Sequence, residues 1–149
     1  MRRPLVICLS FLISLMFLQC KNDSATNTSD GARKILEYKY TQGWTGAVSI
    51  VEIYGDKSAV KLVDSIRSSI TFSEQEKMEI DSLLSDFSTL KRIYEPEGGA
   101  WMDMSLHDVV RFTASGSDTV SIYEPVDSQD VPGDLRDCVN VLLQKISGG

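Results

Sequence analysis

Few side chains in this chain could do acid–base, nucleophilic or metal chemistry. Its 149 residues include one histidine, His107, and three cysteines, Cys8, Cys20 and Cys138. A Ser-His-Asp site would need His107 as its base and a serine on a strained turn. The serines of "ASGSD" (residues 114–118) instead fall at the tip of an expected hairpin. We therefore predict no catalytic residue.

Metal and cofactor sites are equally hard to assemble from these residues. Zinc usually takes several His or Cys ligands, and His107 and Cys138 are the only ones beyond residue 20. The acids of "EPVDSQDVPGD" (residues 124–134) lack the D-x-D-x-D-G spacing that surrounds a calcium ion. No glycine-rich phosphate motif joins a strand to a helix. We expect neither a metal nor a cofactor.

Recognition has better candidates, in two glycine-flanked breaks of the chain. Trp44 lies in "QGWTG", and "EPEGGAWMDMSLHD" contains Trp101, Met102, Met104 and His107. Exposed Trp and Met provide a large contact area and are over-used at binding surfaces. We predict that the two tryptophans form a recognition edge at one end of a sheet, with His107 only bordering it. In the alternative, one or both tryptophans fold back and plug the ends of the core.

The N-terminal segment "MRRPLVICLSFLISLMFLQC" has a basic start followed by an apolar run at residues 5–18. That run is shorter than the roughly 20 apolar residues that cross a bilayer, and it is typical of a secretory signal. Its "FLQC" ending resembles the lipobox of bacterial lipoproteins, in the looser form found in Bacteroidota. The resemblance implies a signal peptide over 1–19, a lipid on Cys20, and localisation in the cell envelope. We expect anchoring at the outer membrane, facing the periplasm or the cell surface.

Residues 20–34 are interpreted as the lipidated cysteine and a flexible tether. After Cys20, "KNDSATNTSDGARK" has no aliphatic residue larger than Ala, so it cannot bury enough apolar surface to fold. Without residues 1–19 the formal charge changes from −6 to −8. Because nucleic acids require a basic surface, we expect no nucleic-acid partner. The expected partners are the membrane, through the lipid at Cys20, and a protein, peptide or glycan.

Residues 35–149 have the size of a single domain. Segments rich in β-branched and aromatic residues alternate with short turns, which predicts antiparallel strands. The predicted strands are "ILEYKY", "AVSIVEIY", "SAVKLVD", "IRSSITF", "HDVVRFTA" and "TVSIYEP". The sequence therefore predicts an α+β fold with an antiparallel sheet of about five or six strands and two amphipathic helices packed on one face.

The two helices are predicted from their caps and their apolar stripes. Ser73 and Glu76 have the spacing of a capping box, and Asp130 and Pro132 suit the start of a second helix. The apolar residues at helical spacing are Ile80, Leu83, Leu84 and Phe87, followed by Leu135, Cys138, Val139, Leu142 and Ile146. Cys138 is thus predicted to be a buried core residue.

A second resemblance covers residues 36–146. The turn "QGWTGAVSI", the helix "SEQEKMEIDSLL", a later hairpin and a terminal helix resemble the layout of emfourin-type inhibitors of thermolysin-like metallopeptidases. The resemblance implies that the turn around Trp44 is presented to a peptidase cleft.

The sequence therefore predicts a lipid-anchored, non-catalytic binding module. A proteinaceous metallopeptidase inhibitor and a small envelope hydrolase are the alternatives. None of the patterns above identifies a ligand.

We expect the substitution Cys20→Ala to leave the precursor unprocessed or to release the domain from the membrane fraction. The variant lacks the thiol to which the lipid would be attached. Labelling with a radioactive fatty acid measures this directly, and equal labelling of wild type and variant would refute the lipid assignment.

Overall fold

The computed structural model describes residues 32–99, 103–127 and 130–148. In these ranges, seven strands and two α-helices follow one another in the chain, with one short 3₁₀ helix. They are β1 (Lys34–Thr41), β2 (Val48–Tyr54), β3 (Ala59–Val63), β4 (Ile66–Ile70), α1 (Glu74–Asp86), a 3₁₀ helix (Phe87–Thr89), β5 (Ile93–Tyr94), β6 (Leu106–Thr113), β7 (Gly116–Tyr123) and α2 (Gly133–Ser147).

The strands form one mixed sheet in the order β4-β3-β2-β1-β6-β7-β5. Six of them are antiparallel, as predicted, and β1 lies at the centre between β2 and β6. The two-residue strand β5 was not predicted, and it pairs parallel to β7. The predicted α+β class is therefore confirmed, whereas the prediction of a purely antiparallel sheet of five or six strands is corrected to a mixed sheet of seven.

Alternation along the strands divides the sheet into a helix-covered face and an open face. On β1, Leu36 and Tyr38 are fully buried, and Val51 and Val109 lie beside Tyr38 on the neighbouring strands. These side chains join the buried residues of both helices in a single core cluster. Both helices therefore pack on the same face.

The helix starts agree with the prediction in one case and differ in the other. Ser73 Oγ accepts a hydrogen bond from Glu76 N, and Ser73 N donates to Glu76 Oε2 at 2.6 Å, so the capping box is confirmed. Helix α2 has Pro132 at its N-cap without a side-chain cap, and the predicted cap by Asp130 is wrong. Pro132 has φ −55° and ψ 144°, an extended N-cap conformation, so the helix begins at Gly133 and Asp130 lies outside its first turn.

The predicted apolar stripes face the core, although Leu84 and Ile146 are only partly buried and Phe87, which is fully buried, belongs to the 3₁₀ helix. Ile80 and Leu83 of α1 are buried, as are Leu135, Cys138, Val139 and Leu142 of α2. Neither helix in the described part of the chain is long and apolar enough to cross a membrane. The predicted lipidation site Cys20, the signal peptide and most of the predicted tether lie outside the described residues.

We expect Cys138 to resist alkylation in the native protein and to react after denaturation. Its side chain is fully buried, and burial raises the pKa of the Cys138 thiol to about 12, so very little reactive thiolate exists at neutral pH. Mass spectrometry after a timed iodoacetamide pulse measures the reaction. Labelling of Cys138 under native conditions at the rate of a free peptide thiol would show that α2 does not pack on the sheet as described.

Candidate functional site

Trp44 lies at the exposed tip of the turn between β1 and β2, as predicted from its glycine-flanked position. Its side chain is 85% exposed, the largest value among the exposed large apolar residues of the described chain. A tryptophan that merely plugged the core would be mostly buried. The core-plug alternative is therefore excluded for Trp44.

The turn that carries Trp44 is closed by its own hydrogen bonds. Gln42 N donates to Ala47 O at 2.9 Å, and Gly46 N donates to Gln42 O at 2.8 Å. The Thr45 hydroxyl donates to Gln42 Oε1 at 2.8 Å and accepts from Ala47 N at 3.1 Å. The positive φ of Gly46, 65°, is the backbone conformation that the turn needs at that position. Because its ends are tied together, the turn presents Trp44 in a restricted set of positions.

Gly43 places this turn directly against the segment that leads into β6. A Cβ atom on Gly43 would lie 1.9 Å from the backbone oxygen of Asp103, so no other residue fits without moving that backbone. Gly43 N also donates to Ser105 Oγ at 3.4 Å, and Tyr40 OH donates to the same oxygen at 3.2 Å. We call the turn Gln42–Ala47 together with Asp103–Ser105 the Trp44 edge.

The structure brings only part of the predicted recognition set together. Met104 is half-buried within the Trp44 edge, beside the position where Gly43 contacts Asp103. Trp101 and Met102 lie outside the described residues. The described chain resumes at Asp103.

His107 differs most from its predicted position at the border of the edge. It lies on the helix-covered face of β6 and is fully buried, because it is in phase with the buried Val109 two residues later. A buried imidazole cannot contact a ligand directly. The prediction of His107 as a binding residue is corrected accordingly: its contacts are structural.

The hydrogen bonds of His107 define its tautomer. Nε2 lies 3.3 Å from Glu124 Oε1, and Nδ1 lies 2.7 Å from the Tyr38 hydroxyl. An ionised carboxylate only accepts, so neutral His107 carries its proton on Nε2 and accepts the Tyr38 hydrogen at Nδ1. Burial raises the pKa of Tyr38, which keeps the hydroxyl protonated as a donor. Because both ring nitrogens are used, His107 does not pair with Ser105 as a Ser-His dyad would require.

Ser105, itself part of the Trp44 edge, is linked to this buried histidine through Tyr40 and Glu124. Its hydroxyl accepts from Gly43 N and from Tyr40 OH, and its backbone oxygen accepts from Glu124 N at 3.1 Å. The Tyr40 ring also contacts the His107 ring, with centroids 5.0 Å apart. The support of the exposed turn is thus a buried polar network that sequence reasoning missed. His107 and Val109 are two residues apart on one strand and so share a face of the sheet. This spacing was the signal that could have predicted the burial of His107.

A groove of about 320 Å³ lies between the two helices. It is lined by Gln75, Met78, Glu79, Ser82, Asp134 and Asp137. This lining has carboxylates but neither a histidine nor a cysteine. Within residues 32–99, 103–127 and 130–148, no three His, Cys, Asp or Glu side chains are grouped so that they could hold a metal ion.

Compared with models of known protein families and with curated protein sequences, this chain matches none.

We expect the free energy of unfolding to fall as the pH is lowered from 7 towards 5, in part because of His107. Burial lowers the pKa of His107 below 6.5, although Glu124 and Asp108 oppose this shift. As the pH falls through about 6.5 the unfolded chain takes up a proton that the folded protein still excludes, so stability is lost by up to about 1.4 kcal/mol per pH unit.

Urea unfolding at several pH values measures this loss, and His107→Gln is the matched variant because glutamine does not titrate. Its stability should depend less on pH than that of the wild type between pH 7 and 5. The same slope in both proteins would show that His107 does not contribute.

Proposed function

We propose that this chain is a lipid-anchored binding module of the cell envelope, and that the Trp44 edge is its recognition surface. The observation that carries the proposal is the 85% exposure of Trp44 on a turn tied by its own hydrogen bonds and seated on Asp103 through Gly43. Large aromatic side chains with little freedom to lose are the residues that contribute most to binding energy at interfaces.

The ordering cost of binding supports the same assignment. A flexible loop loses conformational entropy when it is immobilised against a partner, and this loss weakens the complex. In the Trp44 turn, the hydrogen bonds between Gln42, Thr45, Gly46 and Ala47 already hold the backbone in place, which lowers this cost.

The position of the edge suits a chain anchored at its N-terminus. The chain enters the domain at the start of β1, and the Trp44 turn follows the end of the same eight-residue strand. At about 3.3 Å per residue, the strand separates the entry point from the turn by roughly 23 Å. The Trp44 edge therefore lies at the far end of β1 from the residue at which the strand begins, Lys34.

Inhibition of a metallopeptidase is a second candidate, favoured by the shape of the same turn. Peptidase inhibitors present an exposed loop whose bound conformation already exists in the free protein. The Trp44 turn has both properties, since it is exposed and closed by internal hydrogen bonds. In this version of the proposal the partner of the Trp44 edge is the cleft of a thermolysin-like enzyme.

We expect Trp44→Ala to weaken binding by roughly 30-fold or more, the size typical of a hot-spot residue. Because Trp44 is 85% exposed, the melting temperature should change by only a few degrees. Binding is measured by pull-down from envelope extracts and by inhibition of a thermolysin-like peptidase. The matched control is Met78→Ala, which removes another exposed apolar side chain, from helix α1.

Wild-type binding by Trp44→Ala would contradict the proposal. Loss of binding only in Met78→Ala would move the recognition surface to the helices. If Trp44→Ala loses pull-down partners and the wild type does not inhibit the peptidase, the result supports a binding module and rejects the inhibitor.

A further inference from the structure

Strand β4 is the last strand on one side of the sheet. It pairs with β3 without a bulge, from Ala59 opposite Ile70 to Val63 opposite Ile66, and in the described part of the chain no strand lies beyond it. Its five residues, IRSSI, contain no proline, and their one charged side chain, Arg67, is paired with Glu52 of its own sheet at 3.1 Å instead of extending as a free charge along the edge. The outer backbone groups of β4 are therefore available to another strand.

The turn between β3 and β4 determines which backbone groups face outward. Asp64 and Ser65 both have positive φ, 50° and 66°, as in the type I′ turn of a two-residue hairpin. In such a hairpin the flanking residues, Val63 and Ile66, form a hydrogen-bonded pair. Because hydrogen-bonded and non-hydrogen-bonded positions alternate, Ile66, Ser68 and Ile70 bond to β3. The N–H and C=O groups of Arg67 and Ser69 point away from the sheet.

A second copy of β4 fits this pattern of backbone groups. If two β4 strands run antiparallel about a two-fold axis at Ser68, Arg67 of one copy faces Ser69 of the other, and both residues have their free backbone groups towards the partner. Symmetry repeats the pair on the other side of the axis. A shift of one residue would place inward-facing groups opposite outward-facing ones and would lose these hydrogen bonds.

The side chains of β4 are complementary in the same register. Ile66 is 71% exposed, and in this register it faces the half-buried Ile70 of the second copy at a non-hydrogen-bonded position, where side chains are closest. The Arg67 guanidinium lies 3.1 Å from Glu52 Oε2 and 3.0 Å from the Tyr54 hydroxyl within its own sheet. Its charge is thus already compensated, so two copies of Arg67 can approach each other.

We propose that β4 is a self-association edge, through which two copies of this chain pair antiparallel about Ser68 and form one continuous sheet. This surface is distinct from the Trp44 edge, and the proposal does not depend on the ligand of that edge.

Cysteine cross-linking in the full-length chain tests the register. In the proposed dimer the two Ser68 residues face each other with Cα atoms about 4.5 Å apart, within the reach of a disulfide. The two Ser69 residues lie on opposite sides of the axis, more than about 7 Å apart, which is too far for a disulfide. With a mild oxidant, we expect Ser68→Cys to give a covalent dimer on a non-reducing gel. Ser69→Cys and the wild type, with its own three cysteines, should show only background.

A second substitution distinguishes a disulfide formed within the β4 dimer from one formed by random collision of two chains. Ile66→Asp in the Ser68→Cys background should abolish most of the dimer, because it places a carboxylate against Ile70 of the second copy. The matched control is Ile93→Asp, an exposed isoleucine on β5 at the opposite edge of the sheet, which should leave the dimer unchanged. Circular dichroism shows whether each variant is folded, and Ile66→Lys replaces Ile66→Asp if that variant is not.

Three results would overturn the proposal. They are absence of a dimer with Ser68→Cys, equal dimer formation by Ser69→Cys, and a Ser68→Cys adduct with a different protein. The last result would make β4 a docking strand for another chain instead of for its own copy.

Discussion

The structure depends on the burial of one face of the central strand β1. Leu36 and Tyr38 lie at its middle, fully buried under the helices, and β2 and β6 pair with the strand on either side. A shift of one residue in either pairing would move these side chains to the open face and expose the core. The same register determines where β1 ends, and so where Trp44 emerges. It also places Tyr40 beside His107. The Tyr40 hydroxyl in turn donates a hydrogen bond to Ser105 in the Trp44 edge.

Local patterns made most of this fold predictable. The capping box at Ser73 and Glu76 needs only residues of the same turn, and six strands have their own alternation. Strand β5 has only two residues, and its pairing with β7 depends on a contact with residues nearly 30 positions later, so no local pattern indicates it. The predicted α2 cap was wrong because Asp130 and Pro132 are both plausible start signals, and local sequence does not show at which of them the helical backbone begins.

The exposed part of the Trp44 edge was predictable from the sequence, but the contacts that hold the turn in place were not. Trp44 between two glycines indicates a turn whatever the rest of the chain does. That Gly43 contacts the backbone of Asp103, 60 residues later, follows only from the pairing of β1 with β6. His107 was misplaced because a polar residue beside a loop suggests the surface. Its burial is compatible with a neutral imidazole only because Tyr38 and Glu124 satisfy both nitrogens.

The two proposed surfaces, the β4 edge and the Trp44 edge, lie apart on the sheet, so use of one leaves the other accessible. Strands β2 and β3 separate β4 from β1, so the self-association edge lies about 14 Å across the sheet from the strand that carries the Trp44 turn. Pairing through β4 would therefore leave both Trp44 edges uncovered. Two tethered edges in one dimer raise the effective concentration of the second edge once the first is bound. A weak contact through one tryptophan could then retain a partner that presents the same feature repeatedly, such as a polymer or another protein array.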